Sequence, residues 1–396
     1  MSAPLDLDAV RRSLEGSGRM LPAAAYADEA VLAWERRVLF GGGWVCVGRS
    51  ADVAVPRSRR AVRVGDDAVL LVRGEDGVLR GFFNTCRHRG HELLECGASA
   101  SGRFITCPYH SWVYDLDGRL HKVPHEHREA YAEGGDLSLV GAPVAEWHGF
   151  ILVNVDGAAA PLERYTAGLD EIMEPYELDR LLVAVSHEYE LAANWKLAVE
   201  NYQECYHCST IHPELCRVSP PDSGSNYNPA GLWIGGSMTL VDGAQTMSLT
   251  GQSGSRPMRG VTGLRQREVQ YIQLWPNLLI SAHPDYVMTH LLEPVSAGRT
   301  HVVCQWLFPP EAVQEPGFDP SYAVDFWDLT NRQDWAACEA VQRGVASRGY
   351  RPGPLSPENE DATFQAIAVV ARAYLDDRLP TSAATALPAP VARSGN

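Results

Sequence analysis

Lysine is almost missing from this chain: of 34 basic residues only Lys122 and Lys196 are lysines, and 49 acidic residues bring the formal net charge to −15. A surface that acidic repels phosphate backbones, so nucleic acid is excluded as an expected partner. Nowhere do eighteen apolar residues run together, so no membrane-spanning helix is expected. The stretch from Met1 to Met20 lacks the apolar core of a secretory signal, and the expectation is a cytoplasmic protein. No Gly-x-Gly-x-x-Gly loop follows a strand pattern, so no nicotinamide or flavin site is evident. The plant-type ferredoxin cysteine string is absent too. Electrons for any redox chemistry must arrive from another protein.

What is present is an ordinary globular composition, 45% hydrophobic and 21% charged over 396 residues, long enough for two domains. Nine cysteines is an odd count. In a reducing compartment they are not expected to form a disulfide scaffold, and most should be small buried hydrophobes.

Helical apolar spacing runs from Tyr26 to Phe40 and stops at Gly41-Gly42-Gly43. Residues 1–40 are read as an N-terminal segment whose helix packs on the second domain. From 41 to 156 the pattern changes to short strands, with Val69–Val72 and Val78–Phe83 flanking the turn Gly74-Glu75-Asp76-Gly77. That is a small all-β module. After a linker ending at Pro161, residues 162–379 read as a second domain with α+β character. It opens with a helix near Leu162 to Tyr176, carries strands at 181–191, 232–241, 268–274, 278–283, 287–293 and 300–308, and closes with helices near 322–345 and 362–375. The tail 380–396, rich in Ala, Pro and Ser, is expected to be disordered.

The first chemical constellation is Cys86-Arg87-His88, then Cys107-Pro108-Tyr109-His110-Ser111-Trp112. Each segment offers one thiolate and one imidazole, together the ligand set of a Rieske [2Fe–2S] cluster. Thiolates suit ferric iron, while neutral histidines on the other iron reduce the negative charge and raise the potential. Structural zinc takes two Cys and two His as well, but usually from a Cys-x₂₋₄-Cys start, which is missing here. His91-Glu92 suggests a zinc-protease helix, but position 95 is Glu, not His. The segment resembles the Rieske domain of aromatic-ring-hydroxylating and related oxygenases.

The second constellation runs from Glu200 to His212. On a helix extending to about Cys208, Glu200, Glu204 and His207 share one stripe, and the helix must loosen near Ser209 for His212 to converge with His207. Two histidines and a carboxylate form the facial triad of O₂-activating Fe(II). Two rival readings are a Cys205-x₂-Cys208 redox pair and, adding His212 and Cys216, a zinc knuckle; beside the Rieske pattern, these cysteines are taken as buried packing residues. Asn194-Trp195-Lys196 followed by Glu200-Asn201 to His212 is similar to the iron motif of Rieske oxygenases. That match implies His207 and His212 as iron ligands. It points to Asp334, in Gln333-Asp334-Trp335, as the carboxylate, with Asp325 and Asp328 as rivals on the same predicted helix. Many relatives carry Glu where Gln333 stands.

The resemblance carries further implications. The second domain would be a helix-grip, START-like fold, an antiparallel sheet curled around a long C-terminal helix. The enzyme would use O₂ and electrons from an NAD(P)H-dependent flavin and iron–sulfur reductase, directly or through a ferredoxin. The assembly would be a homotrimer in which one cluster reduces a neighbour's iron. Glu204 would bridge the two centres, with Asn201 beside it at the catalytic site. The string Glu204-Cys205-Tyr206-His207-Cys208 is similar to the branch acting on choline, carnitine and betaines. It implies hydroxylation or N-demethylation of a quaternary ammonium compound held in an aromatic cage, for which Tyr202, Tyr206, Trp233, Tyr271, Trp275 and Tyr286 are candidates. An aromatic or natural-product substrate on the same scaffold, or a Rieske electron carrier lacking the second iron, are the alternatives.

Overall fold

A computed structural model describes residues 2–124 and 135–387. The chain divides into two compact units, Leu39–Ala159 and the described residues of Met1–Val38 with Ala160–Asn396.

The first unit is all β. Its five-stranded antiparallel sheet has the order 99–101, 58–64, 67–73, 79–83, 141–142. The predicted hairpin is there: Asp67–Arg73 pairs with Leu79–Phe83, Val69 opposite Phe83. Strands 45–49, 150–153 and 144–147 form a second sheet, and the short strands 105–106, 113–114 and 120–122 a third. Alternating apolar residues put Leu70, Val72, Phe82, Ile105, Trp112 and Tyr114 into one core, and Cys86 and Cys107 lie in it.

In the second unit, seven strands form an antiparallel sheet in the order 182–191, 299–308, 287–296, 278–282, 268–274, 233–239, 225–226. The 25-residue helix Ser321–Val345 buries Phe326, Trp327, Thr330 and Asn331. Its bounds and those of Asp361–Asp376 fall within a residue of the expected helices. No described helix is long and apolar enough to cross a membrane. The N-terminal helices belong to this unit: Trp34 Nε1 donates to Asp377 Oδ1 at 2.9 Å and Tyr26 donates to Glu200 Oε1 at 2.9 Å.

Three expectations need correction. The helix near 162–176 is two short turns, Leu162–Tyr165 and Asp170–Met173, separated at Gly168 with φ +80°, a conformation that ends a right-handed helix. Part of the tail is ordered: Ala383–Ala386 is helical with Ser382 as its cap. Ala383 and Ala386 are buried, and Ala383 N–H donates to Gly231 O at 2.9 Å. Arg372 Nε donates to Ala386 O at 3.1 Å and ties the turn to helix Asp361–Asp376; residues 388–396 lie outside the described residues. The third correction concerns the iron motif.

Candidate functional site

The motif helix starts where Asn194 caps it, its side chain accepting from Lys196 N–H, but it ends at Tyr202 instead of continuing to Cys208. The reason lies in Glu204, whose carboxylate accepts from the backbone N–H of Tyr206 and from that of His207 at 3.2 Å. A side chain that takes backbone donors competes with the helix ladder. Glu200, Glu204 and His207 therefore do not share a helical stripe. Glu200 points to Tyr26, and burial raises its carboxyl to about 8. His207 precedes a short helix, Cys208–Ile211, and His212 follows it.

The same turn brings Cys205 and Cys208 to a Cα separation of 4.9 Å, and they are joined by a disulfide. That spacing is within disulfide reach; the expectation of two unpaired packing residues fails here, and so does the zinc knuckle.

Across from this segment the long helix presents Asp334. It converges with two imidazoles: His207, His212 and Asp334 have their ligand atoms within 4.8 Å of one another. Asp334 Oδ1 lies 2.8 Å from His212 Nε2 and 3.4 Å from His207 Nε2. The outer nitrogens are engaged as well. His207 Nδ1 is 2.5 Å from Glu204 Oε1, and His212 Nδ1 is 2.7 Å from Gln333 Oε1. An Nδ1–H held outward leaves each Nε2 lone pair directed at the shared centre. Burial alone would raise Asp334, but its histidine partners outweigh that and hold it below the usual carboxylate range. For His207, burial lowers the pKa, yet Asp334 and Glu204 bring it up to about 9. Two imidazoles and a carboxylate on one side of a cavity fit a facial iron triad. The rivals do not reach it: Asp328 holds the Tyr189 hydroxyl at 2.8 Å and Arg332 at 2.7 Å, and Asp325 is exposed. Asn201 does reach it, with Nδ2 3.5 Å from His207 Nε2.

The loops carrying the other constellation are built alike. Cys86 N–H donates to His91 O at 2.8 Å and Gly90 N–H to Cys86 O at 3.0 Å. Cys107 N–H donates to Trp112 O at 2.8 Å and Ser111 N–H to Cys107 O at 3.0 Å. Each loop turns through a left-handed residue, Gly90 at φ +73° and Ser111 at φ +57°. The result places the rings of His88 and His110 4.6 Å apart and the two thiols within reach of each other. The Nδ1 atoms of both histidines are buried with no hydrogen-bond partner. Orphaned imidazole nitrogens beside two buried thiols are costly unless a metal takes them, and the donor set suits a [2Fe–2S] cluster.

A cavity of ≈ 450 Å³ adjoins the triad. Five of its rings form a continuous series: Trp327 to Tyr271 at 6.3 Å, Tyr271 to Tyr202 at 6.1 Å, Tyr202 to His290 at 6.4 Å and His290 to Trp335 at 6.0 Å between centroids. Burial pushes His290 down to about 4, so it is neutral. Of the predicted cage residues, Tyr202, Tyr206 and Tyr271 line the cavity. Trp233, Trp275 and Tyr286 do not: Trp275 packs edge-on against Trp195, Tyr286 donates to Met247 O and Trp233 to Ala167 O. The sequence reading missed Trp327, Trp335, His290 and Gln333 as site residues. A signal existed on the long helix, where Trp327, Asn331 and Asp334 stand at steps of four and three on one face.

Fold and geometry together define a protein with two metal centres, one in each unit. The chain matches the Rieske [2Fe-2S] domain over residues 43–145 and the ring hydroxylating alpha subunit (catalytic domain) over residues 178–376, and it therefore belongs to the Rieske non-haem iron oxygenase family. A match to the catalytic domain rules out a bare electron carrier. The chain is 31% identical over 369 residues to the glycine betaine monooxygenase oxygenase subunit of Chromohalobacter salexigens, covering 85% of this chain and 81% of that one. To the carnitine monooxygenase oxygenase subunit of Escherichia coli it is 30% identical over 337 residues, with coverage of 84% and 85%. The quaternary ammonium Rieske monooxygenase CntA, solved with L-carnitine, superposes with a TM-score of 0.74 at 26% identity, covering 93% of this chain and 99% of that one. Naphthalene 1,2-dioxygenase from Rhodococcus sp. shares the fold, with a TM-score of 0.74 at 19% identity, covering 94% and 98%.

Proposed function

We propose that this chain is the oxygenase component of a two-part enzyme that hydroxylates or N-demethylates a quaternary ammonium compound. The observation that carries this reading is the ring series along the cavity beside His207, His212 and Asp334. Ring faces attract a cation that has no N–H to donate, and relatives named for glycine betaine and carnitine agree.

In this reading Cys86, His88, Cys107 and His110 hold the cluster, and His207, His212 and Asp334 hold the iron, which when bound activates O₂. The protein's own share is orientation and proton handling. Glu204 and Gln333 hold the two iron histidines in the tautomer that leaves Nε2 free. Glu204 is the bridging carboxylate toward the cluster, and Asn201 stands beside the iron ligands, its Nδ2 3.5 Å from His207 Nε2. The rings exclude water and hold the cation so that a C–H bond is presented to the triad. One oxygen atom enters that bond; the other leaves as water, using two electrons and two protons. Those electrons come from NAD(P)H through a separate flavin and iron–sulfur reductase, directly or by way of a ferredoxin. A homotrimer in the cytoplasm, with cluster and iron paired across subunits, belongs to the same proposal.

The test is substrate-stimulated NADH oxidation and O₂ uptake by the purified holoenzyme with a reductase, across a panel of quaternary ammonium compounds. Stimulation with product formation is expected; silence from the whole panel overturns the reading.

A further inference from the structure

We infer that the substrate is a quaternary ammonium cation with a neutral, hydroxyl-bearing tail, not a zwitterion ending in a carboxylate. This rests on the quaternary ammonium reading above and narrows it.

The first observation is the sign of charge around the cavity. Its lining contains the carboxylates of Glu204, Asp222, Asp334 and Glu358 and, among the described residues, no arginine or lysine. His207 and His212 are committed to Asp334, Glu204 and Gln333, and His290 is neutral. Asp222 and Glu358 are exposed. Away from the iron triad an entering cation meets carboxylates, whereas a substrate carboxylate meets like charge there and finds no arginine or lysine to replace its lost hydration.

The second observation is independent of charge. His290 is 3% exposed, and its Nε2 lies 3.1 Å from Asn331 Oδ1. Asn331 uses its Nδ2 as donor toward Cys304 Sγ, so its Oδ1 is an acceptor and His290 carries its proton on Nε2. The remaining Nδ1 is a lone pair, buried and without a partner. Trp335 Nε1, a pure donor, is also buried without a partner, as is the Tyr271 hydroxyl. All three residues line the cavity, and the His290 and Trp335 rings are 6.0 Å apart. A hydroxyl donates to the lone pair and accepts from the indole at once. A carboxylate can accept from the indole and the Tyr271 hydroxyl but has no hydrogen to give, so it leaves the His290 lone pair unpaired. Leaving such a buried group unpaired is the means by which sites reject a wrong polar ligand.

The experiment is calorimetric titration of the iron-loaded holoenzyme with three trimethylammonium compounds of matched length, ending in a hydroxyl, a methyl or a carboxylate. The hydroxyl compound is expected to bind tightest and the carboxylate weakest, with at least about a tenfold difference between them. In His290→Phe, with iron content checked, the hydroxyl compound should lose its advantage over the methyl compound while the carboxylate stays weakest; His290→Gln, which keeps an acceptor, should restore part of the advantage. Carboxylate binding equal to or tighter than the hydroxyl overturns this inference and leaves the quaternary ammonium reading standing. If none of the three binds, both fall. If His290→Phe weakens all three equally, the hydroxyl-accepting role of His290 is wrong.

Discussion

Gln333 and His212 meet at 2.7 Å, an amide oxygen against the imidazole Nδ1, at the position where many Rieske oxygenases carry a glutamate. The neutral amide orients the ring without adding a second negative charge beside Asp334. Partners of this kind commonly govern 10–100-fold in metal affinity. Gln333→Leu should therefore weaken Fe(II) binding by roughly that factor while leaving the cluster intact, measured by chelator competition. An unchanged affinity would show that the contact has no orienting role.

Glu204 does two jobs at once: it terminates the motif helix through the Tyr206 and His207 amides and it holds His207 Nδ1. Glu204→Gln should retain both metals, yet cluster oxidation should no longer be matched by product. The check is single-turnover spectroscopy beside product analysis; normal turnover would refute the bridging role.

Tyr114 accepts the Arg87 N–H at 3.1 Å, which leaves its own proton for Cys86 Sγ at 3.2 Å. Hydrogen bonds to cluster sulfurs raise the reduction potential. A net bond of about 1 kcal/mol corresponds at one electron to roughly 40 mV. Tyr114→Phe should lower the potential by about that amount in a redox titration, and no shift would mean the hydroxyl does not serve the sulfur.

Glu200 is predicted to make stability depend on pH. Burial, outweighing Tyr26 and Lys196, raises its carboxyl from 4.5 to about 8. Between those values the folded state keeps a proton that the unfolded state has lost. Stability therefore falls as pH rises through the window, by at most about 1.4 kcal/mol per pH unit. Glu200→Gln should flatten this slope in urea titrations at several pH values, and parallel slopes for the two proteins would defeat the assignment.

One of the two lysines is in the core. Lys196 Nζ pairs with Glu35 Oε1 at 2.6 Å, and Glu35 also receives Trp195 Nε1 at 2.8 Å and the Tyr374 hydroxyl. Lys196→Met leaves that carboxylate without its counter-charge, a loss of about 3–5 kcal/mol, visible as a lower thermal midpoint. A loss below about 1 kcal/mol, the range of an exposed pair, would mean that the remaining donors suffice.

Local chemistry was legible in the residues alone. Cys86-x-His88 and Cys107-x₂-His110 declare their ligand set because thiolate and imidazole at that spacing have few other uses. The strands at 268–274 and 300–308 and the last two long helices follow from side-chain period, which is a local property. The stripe of Glu200, Glu204 and His207 was misread because helical period assumes the backbone ladder continues, and the Glu204 side chain breaks it.

What the tertiary structure alone decided is which distant groups meet. Asp334 reaches His212 across 122 residues, and Asp325 and Asp328, equal to it in residue type, fall elsewhere because helix rotation, not composition, assigns each carboxylate its face. The pairing of Gln333 with His212 and the ring series from Trp327 to Trp335 arise the same way. Sequence names the donors, but only packing of the long helix against the sheet and motif loop brings them within bonding distance of one another.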